Sequence, residues 1–349
     1  MGKKRSLALD IIRIFACLCI LIIHFDASVC GWETTGGFTY PNQLMPNNVL
    51  GGIYLGDFGV GLFFIISGAC LQLSSQFNSL NVHEILYFYK KRALSIYPCY
   101  WIAFFFATLA SFLWYKGMTM GKISKLFISF CGLDGYAGFM LGRGGDFYQV
   151  GEWFLGCIII IYLLFPFISY TFNKMPVLTC IFWGGLHLFL INSMSKHWFF
   201  LVIPYFLLGM IFVKYSRTAK NPILLFFTAA AVAVRVLFGQ YVPYPTKIII
   251  ISWGMFVALF LVTELLEEMI PAFSRESLKK CISYISVLTY PAFLIHHKLI
   301  SMLAPTFNLT NFPYRYTVVL FICYMIMVSY LAIKLDKAAD YLALKIRSI

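Results

Sequence analysis

Apolar stretches of the length that crosses a bilayer as helix, about 20 residues, recur from residue 7 almost to the end of the chain. No long polar segment separates them. A helix lets an open chain satisfy its own backbone in lipid. The pattern therefore predicts spans at 7–29, 49–75, 93–115, 147–172 and 176–194, then at 197–213, 221–240, 244–266, 281–304 and 314–336. The expected fold is all-α: a polytopic integral membrane protein of about ten transmembrane helices, with both termini cytoplasmic. Residues 1–349 are expected to form a single membrane-embedded domain with no extra soluble domain. Two segments on the outside are long, Gly31–Asn48 and Lys116–Asp146, the second containing GLDGYAGFMLGRGGD. Functional lid and simple linker both fit them.

Composition agrees, with 61% hydrophobic and 12% charged residues against the roughly 25% charged of a soluble domain. The first apolar stretch outlasts a signal h-region and carries Asp10, Arg13 and His24, so it reads as a retained helix. A formal net charge of +13 raises the question of nucleic acid. The positions answer it: seventeen Lys and Arg fall in the segments placed inside and seven in those placed outside, which is the positive-inside pattern. The bilayer is the expected partner, and nucleic acid is not. The ten cysteines show no metal-ligand spacing, and Cys17, Cys19, Cys70, Cys157, Cys180 and Cys323 read as small apolar side chains within spans. No metal is expected. Cys30 and Cys131 both fall in outside segments, which leaves a disulfide between them open.

Ionisable side chains inside a span are expensive unless paired or hydrated, which makes each a functional candidate. In the first span Arg13 and His24 share a helix face, about 16 Å apart along the axis, with Asp10 one turn below Arg13. Asp10 reads foremost as an i, i+3 ion-pair partner of Arg13. His24 reads as a base, since a neutral imidazole titrating near pH 6.5 is the usual proton acceptor in acyl transfer. Arg13 stays charged and can only hold or polarise a carbonyl or an anion. The ninth expected span carries Pro291, then His296, His297 and Lys298; adjacent histidines point to different faces, so one of them is expected at the site. Lys90, Lys91 and Arg92 at the start of the third span fit both a topology anchor and a phosphate-binding patch. Glu152, Trp153 and Arg235 are candidates for an outer cavity, with interfacial anchoring the simpler account. Gly59, Gly61, Ser67 and Gly68 in GDFGVGLFFIISGACL read as close helix packing.

Taken together these motifs resemble the acyltransferase-3 family of bacterial membrane O-acyltransferases over almost the whole chain. LDIIRIFACLCILIIH fits the family's first-helix pattern, an aspartate, an arginine three residues on and a histidine after ten more, here Asp10, Arg13 and His24. GVGLFFIISGACL, KKRALSIYP, EWFLGCIIIIYLLFP, IPYFLLG and TYPAFLIHH follow in the family's order. One departure is visible: many members carry a glutamate shortly after the tryptophan matched by Trp153, where this chain has Cys157 and Ile158. The resemblance implies transfer of an acyl group, most often acetyl from acetyl-CoA, to a hydroxyl of a glycan or lipid-linked glycan in the bacterial cytoplasmic membrane. It implies catalytic roles for Asp10, Arg13 and His24, donor phosphates near Lys90, Lys91 and Arg92, and an acceptor or outer cavity near Glu152, Trp153 and His296. Direct transfer and a covalent relay both fit. A transporter or flippase of a lipid-linked sugar is the rival class, and acyl-CoA consumption separates the two.

Overall fold

The computed structural model describes residues 6–30, 43–45, 48–49, 52–114, 123–133, 150–192, 199–309 and 313–348. Among them are α1 (Leu7–Cys30), a two-stranded antiparallel ribbon of β1 (Asn48–Val49) and β2 (Ile53–Tyr54), α2 (Leu55–Ser74), α3 (Val82–Trp114) and the short α4 (Ile123–Phe130). Then come α5 (Glu152–Lys174), α6 (Pro176–Leu190), α7 (Phe199–Tyr215), α8 (Pro222–Phe238), α9 (Tyr244–Met269), α10 (Glu276–Thr306) and α11 (Thr317–Arg347). Every expected span is found as a helix. Among the described residues, seven are long and apolar enough to cross a membrane, whereas α6, α7 and α8, at 15 to 17 residues, are shorter.

Several boundaries differ from the hydropathy reading. The second helix begins at Leu55 rather than residue 49, because the chain first turns back through Gly52 at φ +91° to pair Val49 with Ile53. α3 begins at Val82, eleven residues ahead of the apolar stretch, with Glu84 in its first turn where the helix dipole favours a carboxylate. α11 runs on to Arg347 through a polar, helix-favouring sequence. Hydropathy marks the lipid-compatible part of a helix, and these helices continue into polar sequence. α4 lies within an expected loop, and most of GLDGYAGFMLGRGGD falls outside the described residues. α10 stays helical through Pro291.

Packing divides the chain into two units, each assembled from separated segments. The first holds Met1–Ile20, Asn47–Asn81 and Leu164–Val287. Here α2 packs on α7 and α9, and the small residues explain how. A side-chain carbon on Gly68 would overlap the Phe206 carbonyl oxygen, and one on Gly209 the Ile65 carbonyl oxygen, so backbone meets backbone as in other small-residue membrane interfaces. Gly59 and Gly61 likewise face Ala16 and Ser252. The chain leaving α2 is fastened to α5 by polar clips: the Phe77 amide donates to Ser169 Oγ at 3.1 Å, and Asn173 Nδ2 to the Phe77 carbonyl at 3.1 Å. Lys214 closes the C-terminal end of α5, donating to the carbonyls of Phe172 and Asn173 at 3.0 and 3.3 Å.

The second unit holds Leu21–Pro46, Val82–Leu163 and Leu288–Ile349. α3 packs along α11 and secures the end of α4 with three donors, Tyr97, Tyr100 and Trp101, aimed at the carbonyls of Cys131, Ser129 and Phe130. In the same unit Phe105, Phe106, Phe112 and Leu113 on α3 and Ile326 on α11 stay exposed, as a surface meeting lipid tails requires.

No disulfide joins the described cysteines. The Cys30–Cys131 pairing that the sequence leaves open rests on the Cys30 side chain, outside the described residues. Burial raises the pKa of the Cys131 thiol above its ordinary value, which keeps it neutral and slow to react. Cys323 is exposed on α11, and Cys70 is a hydrogen-bond partner rather than an inert apolar group.

Candidate active site

In the first unit the N-terminal turns of α1 place Asp10 and Arg13 on one face. Asp10 is 3% exposed, and its charge is matched in two ways. Arg13 Nη1 lies 3.6 Å from Asp10 Oδ1, and the Ser286 hydroxyl of α10 donates to the same oxygen at 2.8 Å. Arg13 Nη1 in turn donates to Ser286 Oγ at 3.1 Å and Nη2 to Cys70 Sγ of α2 at 3.2 Å. The ion pair expected of Asp10 and Arg13 is present. Ser286 and Cys70 were not picked out from the sequence, since a serine and a cysteine in apolar helices carry no signal of their own.

A cavity of about 700 Å³ opens in this unit beside Asp10, lined also by Arg217, Lys279 and Lys280 and by Glu264, Glu267 and Glu276. Four carboxylates face three cations there, and Lys279 is paired to Glu267 at 2.5 Å. That balance disfavours a polyanionic ligand such as a polyphosphate.

In the second unit His24, half-buried in the last two turns of α1, meets two imidazoles of α10. The ring centroid of His296 lies 4.9 Å away and that of His297 4.5 Å away, both edge-on. The expectation that only one histidine reaches the site is therefore corrected. Residues 100° apart on one helix can flank a ring seated over the ridge between them. His296 is fully buried, and its Nδ1 lies 2.6 Å from the Phe293 carbonyl oxygen. The Tyr324 hydroxyl of α11 donates to the His296 carbonyl at 3.2 Å. Phe293 also carries Phe154 of α5 against it, ring centroids 5.2 Å apart. Trp153, the residue before Phe154, is half-buried at the start of α5; the Glu152 side chain lies outside the described residues.

Two residues beyond His24 the sequence reading passed over a carboxylate. Asp26, with no exposed surface, accepts the backbone amides of Leu44 and Met45 at 2.9 to 3.1 Å. An acidic residue in an apolar span is the signal that would have found it. Part of the first long outside segment is thus tied to α1 close to His24.

Lys90, Lys91 and Arg92 lie inside α3, two to three turns from its start. The two lysines are exposed, and the Arg92 guanidinium sits 5.6 Å over the Phe88 ring. Arg235 lies near the end of α8 in the first unit. Among the described residues no group of three or more His, Cys, Asp or Glu is arranged to hold a metal ion, the three clustered histidines included.

The family model of the acyltransferase domain, acyltransferase-3, matches residues 6–334. No curated protein and no solved structure matches the chain.

Proposed function

The chain belongs to the acyltransferase-3 family, a multi-pass membrane acyltransferase, and from that premise we propose that it moves an acetyl group from acetyl-CoA to a sugar hydroxyl of a cell-envelope or lipid-linked glycan. The membrane is the bacterial plasma membrane, with both chain ends in the cytoplasm. The observation that carries this reading is the His24 imidazole, seated against two further imidazoles in the last turns of α1. Few arrangements of a single base suit hydroxyl activation near neutral pH as well.

The chemistry is a thioester alcoholysis. His24 removes the proton of the acceptor hydroxyl as its oxygen bonds to the acetyl carbonyl carbon. The carbon–sulfur bond then breaks, and the CoA thiolate takes the proton back from His24. Products are the O-acetyl sugar and free CoA. Arg13 is permanently cationic and its side chain keeps 25% of its surface exposed. It holds the donor, while Asp10 and Ser286 fix its orientation. The donor phosphates are met by Lys90, Lys91 and Arg92, since exposed basic side chains suit phosphate and the cavity beside Asp10 does not. The outer acceptor lies near Glu152, Trp153 and His296.

The test is O-acetyl content of surface polysaccharide, by proton NMR, in a deletion strain complemented with wild type or His24→Ala at matched membrane levels. Free CoA release from purified membranes is measured alongside. Loss of both signals with His24→Ala supports the reading. CoA release without dependence on His24 overturns its role as base, and no CoA release by wild type overturns acetyl-CoA as donor. Lys90→Ala/Lys91→Ala is expected to raise the KM for acetyl-CoA about tenfold with kcat held; an unchanged KM removes the patch from donor binding.

A further inference from the structure

His296 is held more tightly than any role as a cavity wall requires. Its Nδ1 lies 2.6 Å from the Phe293 carbonyl oxygen, and a carbonyl only accepts. The ring proton therefore sits on Nδ1, and in the neutral imidazole the basic lone pair sits on Nε2. The backbone of His296 is fixed in turn, because the Tyr324 hydroxyl of α11 donates to its carbonyl at 3.2 Å. Phe293, the residue that sets the tautomer, is wedged by Phe154 of α5. Three helices thus determine the orientation and protonation pattern of one buried ring, which stands edge-on to His24 with centroids 4.9 Å apart and planes at 77°. His297, as close to His24 at 4.5 Å, is only half-buried, whereas His296 is fully buried.

We propose that His296 is a positioning residue for His24: it fixes the imidazole from the buried side and, as a neutral ring of set tautomer, stabilises the positive charge His24 acquires on taking the acceptor's proton. The proposal rests on the reading of His24 as the base. A partner group that sets the ring orientation and tautomer of a working histidine is a recurring device in histidine sites; here the ring that acts is itself a histidine. The ionisable groups around His24 are Asp26 on its own helix, already accepting two amides, His296, His297 and Lys298 on α10, and Tyr324 on α11. Of these, His296 combines contact with His24, full burial and a fixed tautomer.

The sign of the effect follows. A base works when deprotonated, so the acid limb of kcat/KM falls at the pKa of His24. A neighbour that stabilises imidazolium raises that pKa, and its removal moves the limb to lower pH. The experiment is the pH profile of CoA release by full-length protein in detergent or nanodiscs, for wild type, His296→Asn, His297→Gln and Tyr324→Phe. Asparagine keeps a donor for the Phe293 carbonyl and removes the titratable ring. The expected result for His296→Asn is a kcat lower by about tenfold and an acid limb displaced downward by about one pH unit. His297→Gln is expected to move the limb less. Tyr324→Phe, which loosens the clamp and keeps the packed ring, is expected to move it the same way as His296→Asn by a smaller amount, and it carries the test if His296→Asn does not fold. An unmoved limb in both His296→Asn and Tyr324→Phe overturns the proposal while leaving His24 as the base. Full activity of His24→Ala overturns the earlier reading instead.

Discussion

Two polar stations sit on one helix, and they meet the demands of an apolar span in opposite ways. At Asp10 and Arg13 charge is answered with charge and hydroxyl: the carboxylate takes Ser286 and the guanidinium, and the guanidinium takes Ser286 and Cys70. Such a network is rigid, and any change of protonation within it leaves a buried partner uncompensated. At His24 the neighbours are rings that can each be neutral or charged. A proton can arrive there without leaving an ion stranded. The contrast teaches that the number of ionisable groups in a span says little about chemistry; their capacity to change charge where they stand says more. On the proposed reading the first station holds and the second reacts.

The largest effects should separate the two. His24→Ala is expected to lower acetyl transfer by about 10²- to 10⁴-fold, the contribution of a general base, while the thermal unfolding midpoint in detergent stays within a few degrees. A matching collapse of the midpoint would make His24 structural and end the contrast. Arg13→Met is expected to do the reverse first, destabilising by about 3–5 kcal/mol because Asp10 is left buried without its cation. Adding Asp10→Asn should restore most of that stability without restoring transfer. If the double variant stays as unstable as the single, the pair is not the unit that holds this end of α1.

How much of this was legible beforehand follows the same division. Helices announce themselves because lipid forces a long apolar run, so each expected span lies on a helix, seven of them long and apolar enough to cross a membrane, and errors fell where hydropathy is silent: the polar starts and ends of α3 and α11, and the β1–β2 turn ahead of α2. Asp10, Arg13 and His24 stood out as charges in an apolar helix. Ser286, Cys70 and Tyr324 did not, for a hydroxyl or thiol among apolar residues means nothing until the fold brings it to a partner across 57 or more positions or, for Tyr324, from α11 to His296 on α10 across 28. The meeting of His24 with both histidines was misjudged because helix periodicity speaks of faces, and a ring lying over the ridge between two faces touches both. Asp26 was readable and was missed.

Asp26 offers an effect of middle size. Its carboxylate accepts the amides of Leu44 and Met45, and charge-assisted bonds of that kind contribute about 1.5–3 kcal/mol each. Asp26→Ala is expected to raise the rate of proteolytic cleavage near Leu44 by about 10- to 100-fold, with a smaller change in the global midpoint, as local opening is a separate equilibrium. Transfer should fall with it if this anchored segment shapes the acceptor side of His24. Unchanged cleavage would mean other contacts hold the segment.

The smallest effect tests the first station at its finest joint. Ser286 both donates to Asp10 at 2.8 Å and accepts from Arg13 at 3.1 Å, so its hydroxyl is shared between the two ions. Ser286→Ala removes that bridge but leaves the ion pair, whose 3.6 Å separation is ample to tighten. The expected loss is about 1 kcal/mol, seen as a small drop in the unfolding midpoint. The acid limb of the pH profile should stay unchanged, because no group that takes a proton in the reaction has lost a neighbour. A displaced limb would tie the hydroxyl to the protonation of His24, and the two stations would then act as one.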